Sequence, residues 1–174
     1  MRFKINEIGP EGLPLHVPVT AEWVAAACPD VELRPGPAGL ALDGRLEKMG
    51  EDFLLRAQLH GEVESVCARC LEPARVPINV PIAVTFVSTE SDDTEDEDKD
   101  PDVIAFKGGD IDVGDEIRDE LLLAVPINPL CQESCKGLCD VCGQNRNLSA
   151  CTCKAQPAAT APFAALAKLK LSNS

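Results

Sequence analysis

The amino-terminal half of the chain contains runs of alternating apolar and polar residues, a pattern typical of β-strands. The runs are residues 3–8, 15–19, 40–49, 53–66 and 76–87. Only three residues separate the third run from the fourth, so these two runs predict the arms of a long hairpin. Pro77 and Pro81 lack a backbone N–H, and the last run therefore suits an edge strand or a bulge. We predict an antiparallel β-sheet or a small barrel.

One short helix and one turn are predicted between these strands. Thr20 precedes an apolar segment that ends at Cys28, and threonine is a common N-cap residue at the start of a helix. Because Cys28 lies in this apolar helical segment, we expect it to be a core residue. The sequence Pro-Gly-Pro-Ala-Gly at residues 35–39 predicts a turn that leads into the hairpin.

A second helix is predicted after a short strand at residues 103–106. Asp112 and Asp115 stand where a helix start favours acidic residues, and Pro126 ends the helix. The apolar residues that repeat at helical spacing are Val113, Ile117, Leu121 and Ala124. The run Leu121–Leu123 is expected to pack in the core. The predicted fold class is α+β, with a few helices and a Cys-rich zinc-binding module near the carboxyl terminus.

Composition and predicted elements divide the chain into five segments. They are a β-rich core with one short helix (1–89), an acidic flexible loop (90–102), a strand and helix that complete the core (103–130), a Cys-rich zinc module (131–153) and a basic tail (154–174). The tail contains lysines and no acidic residue. Its Ala-rich stretch at 164–171 favours a short helix.

The net charge of the chain is concentrated in one segment. The formal charge is −13, and residues 90–102 hold nine acidic residues with one lysine. Such a block cannot bury enough apolar surface to form a core, so we expect a solvated spacer or an acidic mimic of nucleic-acid charge. The rest of the chain is only mildly acidic. A local basic face that contacts RNA therefore remains compatible with the acidic total.

Composition also limits the compartment and the mode of binding. The chain has five Phe, one Trp and no Tyr, so we expect no platform of aromatic residues for stacking bases. The sequence shows neither a secretory signal pattern nor an apolar run of about 18 residues. We expect a cytoplasmic protein that does not enter the membrane, in a compartment where clustered thiols more often bind metal than form disulfides.

Cysteine spacing provides the strongest chemical signal. Six of the nine cysteines lie between residues 131 and 153. Cys139 and Cys142 form a CxxCG sequence, which is typical of a turn that directs two sulfurs to one point. Cys151 and Cys153 are two residues apart, so an extended strand would present both on one face. These four thiolates predict a closed, structural zinc site, whose excess negative charge Lys136, Arg146 and Lys154 are placed to moderate.

A second cysteine set leaves more than one interpretation open. Cys67 and Cys70 form a CxxC pair, and Cys131 and Cys135 remain unassigned. These four can form a second zinc site that joins the sheet to the carboxyl-terminal module. The alternatives are buried cysteines that act as small apolar residues, a redox-active CxxC pair, or a first site in which Cys135 replaces one ligand.

Known catalytic sequence patterns are not found in the chain. The sequence contains no HExxH, GxSxG or P-loop motif, and both histidines, His16 and His60, lie far in sequence from the four cysteines at 139–153. We therefore expect a protein that is not an enzyme and has no small-molecule substrate. A zinc- or thiol-dependent redox or metal-homeostasis protein is the alternative, and it requires reactive, exposed thiolates.

Several of these features together resemble the YceD family, the large ribosomal RNA subunit accumulation proteins. The matching features are Val-Cys-Ala-Arg-Cys-Leu at 66–71, the helix over 111–126, the cysteine pattern over 131–153 and Pro-Phe-Ala-Ala-Leu at 162–166. The resemblance implies a non-enzymatic role in ribosome biogenesis, through 23S rRNA accumulation and large-subunit assembly. The implied partners are large-subunit rRNA or its precursor particle, or basic ribosomal proteins that meet the acidic loop.

A role at the ribosome requires a local basic face, because the chain as a whole is acidic. The basic residues that we expect to form such a face are Arg69, Arg75, Lys136, Arg146, Lys154, Lys168 and Lys170. Arginine and lysine can each contact phosphate oxygens, which position a protein on RNA without reading its sequence. One zinc ion is expected at the four cysteines of 139–153, and the second cysteine set allows another.

Overall fold

Three long antiparallel strands form the centre of the fold. The structure, a computed structural model, describes residues 1–89 and 103–153. Its strands are β1 (Arg2–Lys4), β2 (Leu13–Pro18), β3 (Arg34–Met49), β4 (Asp52–Val66), β5 (Pro73–Ser88), β6 (Val103–Phe106) and β7 (Asp110–Asp112). Its α-helices are α1 (Ala21–Ala27) and α2 (Gly114–Ala124). The β3–β4 hairpin forms as predicted, because both arms alternate apolar and polar residues in one register.

The strands form one open sheet and one small ribbon. The sheet order is β2-β3-β4-β5-β6, and β1 pairs with β7 in a separate two-stranded ribbon. All neighbours are antiparallel except β5 and β6, which are parallel. Among the described residues β2 does not pair with β6, so the sheet does not close into a barrel. The predicted α+β class with a mainly antiparallel sheet is confirmed.

One face of the sheet forms the core. Leu42, Leu55 and Leu59 alternate toward this face and are fully buried, as are Ile117 and Leu121 of α2. Burying one such side chain contributes about 2 kcal/mol. Helix α1 packs against β3 and α2 packs against β5, on this same apolar side. The opposite face of the three central strands, here called the outer face, carries polar side chains and remains accessible.

Both helices start where the sequence predicts, but the buried residues of α2 differ from the prediction. The Oγ1 atom of Thr20 accepts a hydrogen bond from the N–H of Trp23 at 3.2 Å, which confirms the predicted N-cap. The Oδ1 atom of Asp112 accepts from the N–H of Gly114 at 2.9 Å, where α2 starts. The prediction that Leu121–Leu123 all pack in the core is wrong, because Leu123 is 80% exposed. A helix presents only one stripe of residues to the core.

The structure contradicts the turn predicted at 35–39 and agrees with the edge position predicted for the prolines of β5. The predicted turn at 35–39 is wrong, since these residues continue β3 and the pairing register shifts between Pro35 and Leu40. Pro77 and Pro81 lie on β5, which pairs with β6 only over Thr85–Ser88. Their part of β5 is therefore an edge on that side in the described structure, as proline requires. Cys28 is buried, as expected.

Gly61 provides a stability test of the register shift. Its φ is +132°, and a Cβ atom there would lie 2.2 Å from the carbonyl oxygen of Gly39. Gly61→Ala is expected to lower the free energy of unfolding by about 3 kcal/mol, because both the backbone and the strand pairing must distort. Gly50→Ala, at a positive φ in open space, should lose about 1 kcal/mol. If urea unfolding gives the two variants equal losses in the free energy of unfolding, the close strand contact at Gly61 does not determine its cost.

The acidic loop and the tail helix, predicted at 90–102 and within 154–174, lie outside the described residues. The same holds for Lys154, Lys168 and Lys170. The candidate site is therefore built from the other predicted residues. Apart from Arg75, which lies on β5, they belong to the loop between β4 and β5 and to the segment that follows α2. These two parts of the chain meet at the end of the sheet opposite the β3–β4 turn.

Candidate metal centres

The first cluster begins in the tight loop between β4 and β5. The N–H of Cys67 donates to the carbonyl oxygen of Glu72 at 2.9 Å, and the N–H of Leu71 donates to the carbonyl of Cys67 at 3.0 Å. Leu71 has a φ of +63°, the left-handed conformation that glycine occupies in a CxxCG turn. The loop therefore adopts the turn of a metal-binding cysteine pair even though Leu replaces Gly.

Segment 131–135 brings two more sulfurs to this loop. The Sγ atoms of Cys67 and Cys135 are 3.8 Å apart, and those of Cys70 and Cys131 are 3.5 Å apart. All four sulfurs lie within 4.8 Å of one another. Four ligands on a tetrahedral zinc with Zn–S bonds of about 2.3 Å would be separated by about 3.8 Å. The spacing fits a metal ion and is far longer than the 2 Å or so of a disulfide bond.

The second cluster is formed by Cys139, Cys142, Cys151 and Cys153, whose sulfurs also lie within 4.8 Å of one another. The N–H of Gly143 donates to the carbonyl of Cys139 at 2.8 Å, and Gly143 has a φ of +71°. This is the tight turn that the CxxCG spacing predicts. The predicted strand at Cys151–Cys153 is wrong, because these residues belong to no strand.

Thiol acidity reflects the crowding of sulfurs in both clusters. Backbone N–H groups of Cys142 and Val141 point at the sulfur of Cys139 and lower its pKa to about 6. Burial opposes ionisation of Cys67, but backbone N–H groups around its sulfur lower its pKa to about 6. Burial and the neighbouring thiols raise the pKa of Cys131 to about 12. Without a cation, each cluster therefore retains protons that a bound divalent ion would displace.

The two clusters share one hydrogen-bond network. The N–H of Leu138 donates to the carbonyl of Arg69 at 2.9 Å, which fixes the start of the second cluster to the first loop. The side-chain Nδ2 of Asn147 donates to the sulfur of Cys135 at 3.3 Å, and its Oδ1 accepts from the N–H of Lys136 at 2.8 Å. Asn147 belongs to the loop between Cys142 and Cys151. The second cluster thus supplies an outer contact to a ligand of the first.

Of the residues predicted to form a basic face, four lie in the described part of the chain, and three of these form contacts within the protein. Arg69 donates from Nη1 to the carbonyl of Cys135 at 3.0 Å. Arg75 lies 3.8 Å from Glu64, and Arg146 lies 3.7 Å from Asp140 and also contacts the sulfur of Cys151. Lys136 is exposed. Arg69, Lys136 and Arg146 therefore surround the clusters, whereas Arg75 lies on the outer face of β5.

Asn147 is the residue of this site that sequence reasoning did not identify. A local signal exists, because Asn145, Arg146 and Asn147 follow each other in the loop between two cysteine pairs. Asn145 accepts the N–H of Asn147 at 2.9 Å through its side-chain oxygen, which holds the loop in a tight turn. Polar groups that contact metal ligands orient them and tune their affinity.

In the described part of the chain, no helix is long and apolar enough to cross a membrane.

Comparison with known proteins places these clusters in a family. The family described as large ribosomal RNA subunit accumulation protein YceD matches residues 55–170, more than half of the chain. The chain belongs to the YceD family. The matched region includes β4 from Leu55 onward and every cysteine of both clusters, whereas β1, β2 and β3 precede it. The family's shared region therefore contains both candidate metal centres and the strand from which the first one starts.

Individual relatives match somewhat more than half of the chain. An uncharacterized protein of Mycobacterium tuberculosis is 34% identical over 106 residues, which cover 60% of this chain and 50% of the relative. A protein of Zea mays named large ribosomal RNA subunit accumulation protein YCED homolog 1, chloroplastic, is 34% identical over 57% of this chain and 44% of its own length. The chain spans about half the length of these relatives. No solved structure matches it.

Proposed function

We propose that this chain is a non-enzymatic, cytoplasmic factor that supports the accumulation of 23S rRNA and the assembly of the large ribosomal subunit. Membership in the YceD family carries this proposal, together with the name of the maize relative. The residues near the clusters support a binding role, because neither cluster includes histidine or carboxylate with an open coordination position. Its partners are large-subunit rRNA or the precursor particle, and basic ribosomal proteins.

Both cysteine clusters are proposed to hold structural zinc. Each offers four sulfurs at the spacing of a tetrahedral ion, and four thiolates leave no position for water or substrate. Zinc would supply the folding free energy that the segment 129–153 lacks, because the described part of that segment contains few buried apolar side chains. Arg69 and Arg146 lie where their charge offsets the excess negative charge of the thiolates.

The cellular role can be tested by removing the protein. Cells without the chain should contain less large-subunit rRNA relative to small-subunit rRNA than the parent strain, and the wild-type chain should restore the ratio. In gradient sedimentation, the tagged chain should move with large-subunit precursor particles rather than with the small subunit. An unchanged rRNA ratio, together with sedimentation as free protein only, would contradict the proposed function.

A redox or metal-homeostasis protein is the second candidate. The exposure of Cys142 and Cys153 favours it, because accessible thiolates react with oxidants. Mild peroxide separates the two functions. Structural zinc should remain bound, whereas a redox centre should lose metal as its thiols oxidise. Rapid metal loss with disulfide formation in the second cluster would favour the redox function.

A further inference from the structure

The outer face of the sheet has an uneven distribution of charge along its length. At the end near the clusters, Glu64 of β4 lies between Arg34 of β3 and Arg75 of β5 in the pairing register. Both arginines form ion pairs with that carboxylate. Both cations at this end are therefore paired with one shared carboxylate, and cross-strand pairs of opposite charge stabilise a sheet.

Near the β3–β4 turn, the same register brings two cations together. Arg45 of β3 lies directly opposite Arg56 of β4, and both side chains are exposed. Neighbours in this row are Pro14 of β2 and Ala83 of β5, which carry no charge. Like charges placed directly opposite each other destabilise an antiparallel pair. The fold thus retains an electrostatic cost here that it avoids at the other end of the face.

Neither guanidinium of this pair has an acidic partner in the described part of the chain. The other described arginines are engaged, Arg2 with Asp112, Arg34 and Arg75 with Glu64, Arg118 with Asp115 and Asp119, Arg146 with Asp140, and Arg69 with the Cys135 carbonyl. Of these, only Arg69 likewise lacks an acidic partner, so Arg45 and Arg56 differ from the five arginines that form ion pairs. Two exposed arginines at paired positions of neighbouring strands, neither of them in an ion pair, are suited to bind an external anion through several N–H donors.

The position of Arg45 is restricted by its surroundings. Its Nη1 atom donates to the carbonyl oxygen of Glu11. Gly12 has a φ of +74°, and a Cβ atom there would lie 3.1 Å from the Cγ atom of Arg45. The side chain therefore lies across a glycine turn and is held at one nitrogen, while its other N–H groups stay accessible. A restrained side chain loses less conformational entropy when it binds a ligand.

A surface concavity of about 460 Å³ adjoins the two arginines. Its lining includes Met49 and Leu54 beside Arg45 and Arg56, a third cation, Lys48, and two carboxylate residues, Glu11 and Glu47. Glu47 forms no ion pair with either arginine in the described structure, but its charge weakens the field that an anion would meet. Removing that charge should therefore strengthen anion binding, whereas removing the arginines should weaken it.

We propose that Arg45 and Arg56 form a phosphate-binding site for an RNA backbone, an inference that rests on the proposed function. A phosphodiester group presents the paired oxygens that guanidinium groups bind in bidentate geometry. No aromatic residue of the described chain lies on the outer face, since Phe53 and Phe86 are buried on the other side. Base stacking is therefore absent from this contact, and the binding is independent of RNA sequence.

The site is tested with the full chain and a fluorescein-labelled 20-nucleotide RNA hairpin, by anisotropy over a salt series. The double variant R45A/R56A should bind at least about tenfold more weakly, with a salt slope smaller by about 2, because two phosphate contacts are lost. The double variant R2A/R118A removes the same charge from other parts of the protein and should bind nearly as well as wild type. E47Q should bind more tightly than wild type.

Three results would overturn the assignment. They are equal weakening by both double variants, no RNA binding by wild type at low salt, and equally tight binding of polyglutamate of matched charge. Urea unfolding of R45A/R56A should show at most a small loss of stability, because relief of the repulsion between the opposed charges offsets the lost hydrogen bond from Arg45 to the Glu11 carbonyl. Loss of binding with wild-type stability supports the site. The rRNA ratio in cells tests the proposed function separately, since that ratio can depend on other surfaces of the chain.

Discussion

Cys67→Ser is expected to release the metal ion of the first cluster and to detach the segment 129–153 from the sheet. Cys67 is fully buried, and the N–H of the next residue, Ala68, donates to the carbonyl of Pro129 at 2.8 Å. A metal ion held by the first cluster would therefore join the β4–β5 loop to the segment that follows α2. Losing a structural metal lowers the free energy of unfolding by more than about 4 kcal/mol.

Cys28→Ser is the matched control for this variant. Cys28 is also buried, but it lies at the end of α1 and belongs to neither cluster. It should keep the full metal content and lose only the stability expected for a polar atom in the core, about 1–3 kcal/mol. Metal content and urea unfolding are measured on both proteins. Full metal content in the Cys67 variant, or equal losses of stability, would show that Cys67 is not a ligand.

Asn147→Ala is expected to weaken metal binding at the first cluster although Asn147 is not a ligand. Its side chain donates to the sulfur of Cys135 and accepts from the N–H of Lys136, so it fixes a ligand from the loop of the second cluster. Removing such an outer contact typically costs about 10- to 100-fold in metal affinity. The loss should appear at the first cluster and leave the second one occupied.

The two sites can be followed separately in the cadmium-loaded protein, where ¹¹³Cd NMR gives one resonance for each cluster. Competition with a chelator should remove cadmium from the first cluster of Asn147→Ala before the second. Gln144→Ala is the control, because Gln144 lies in the same loop and its side chain bonds to Ser149 at 2.6 Å. If both variants release cadmium as wild type does, Asn147 has no positioning role.

The local parts of the metal sites could be predicted from the sequence. A CxxC spacing forces two sulfurs together within one turn, and the positive φ of Gly143 follows from the same local geometry. The docking of Cys131 and Cys135 on Cys67 and Cys70 was one of several interpretations. It depends on where α2 ends relative to β4, which is set by tertiary packing. The contact of Asn147 could not be predicted, because it arises only after both clusters are placed.

The fold shows the same limit. Alternation along β3 and β4 predicted the hairpin, since one buried face fixes the pairing register. The residues at 35–39 look like a turn by composition, but Glu64 and Val63 of β4 pair with Arg34 and Pro35 and extend the strand through them. Pairing with a distant strand overrode the local preference. The position of Arg45 opposite Arg56 likewise depends on the pairing register of β3 and β4, which is known only from the structure.

Counting the bound metal ions decides whether both cysteine clusters are structural zinc centres. Native mass spectrometry of the purified full chain, followed by elemental analysis, should give two zinc ions per chain that persist after mild peroxide treatment. Both ions should be lost only with unfolding of the segment 129–153. A metal-free chain with a native unfolding transition, or a different metal at both sites, would contradict the account.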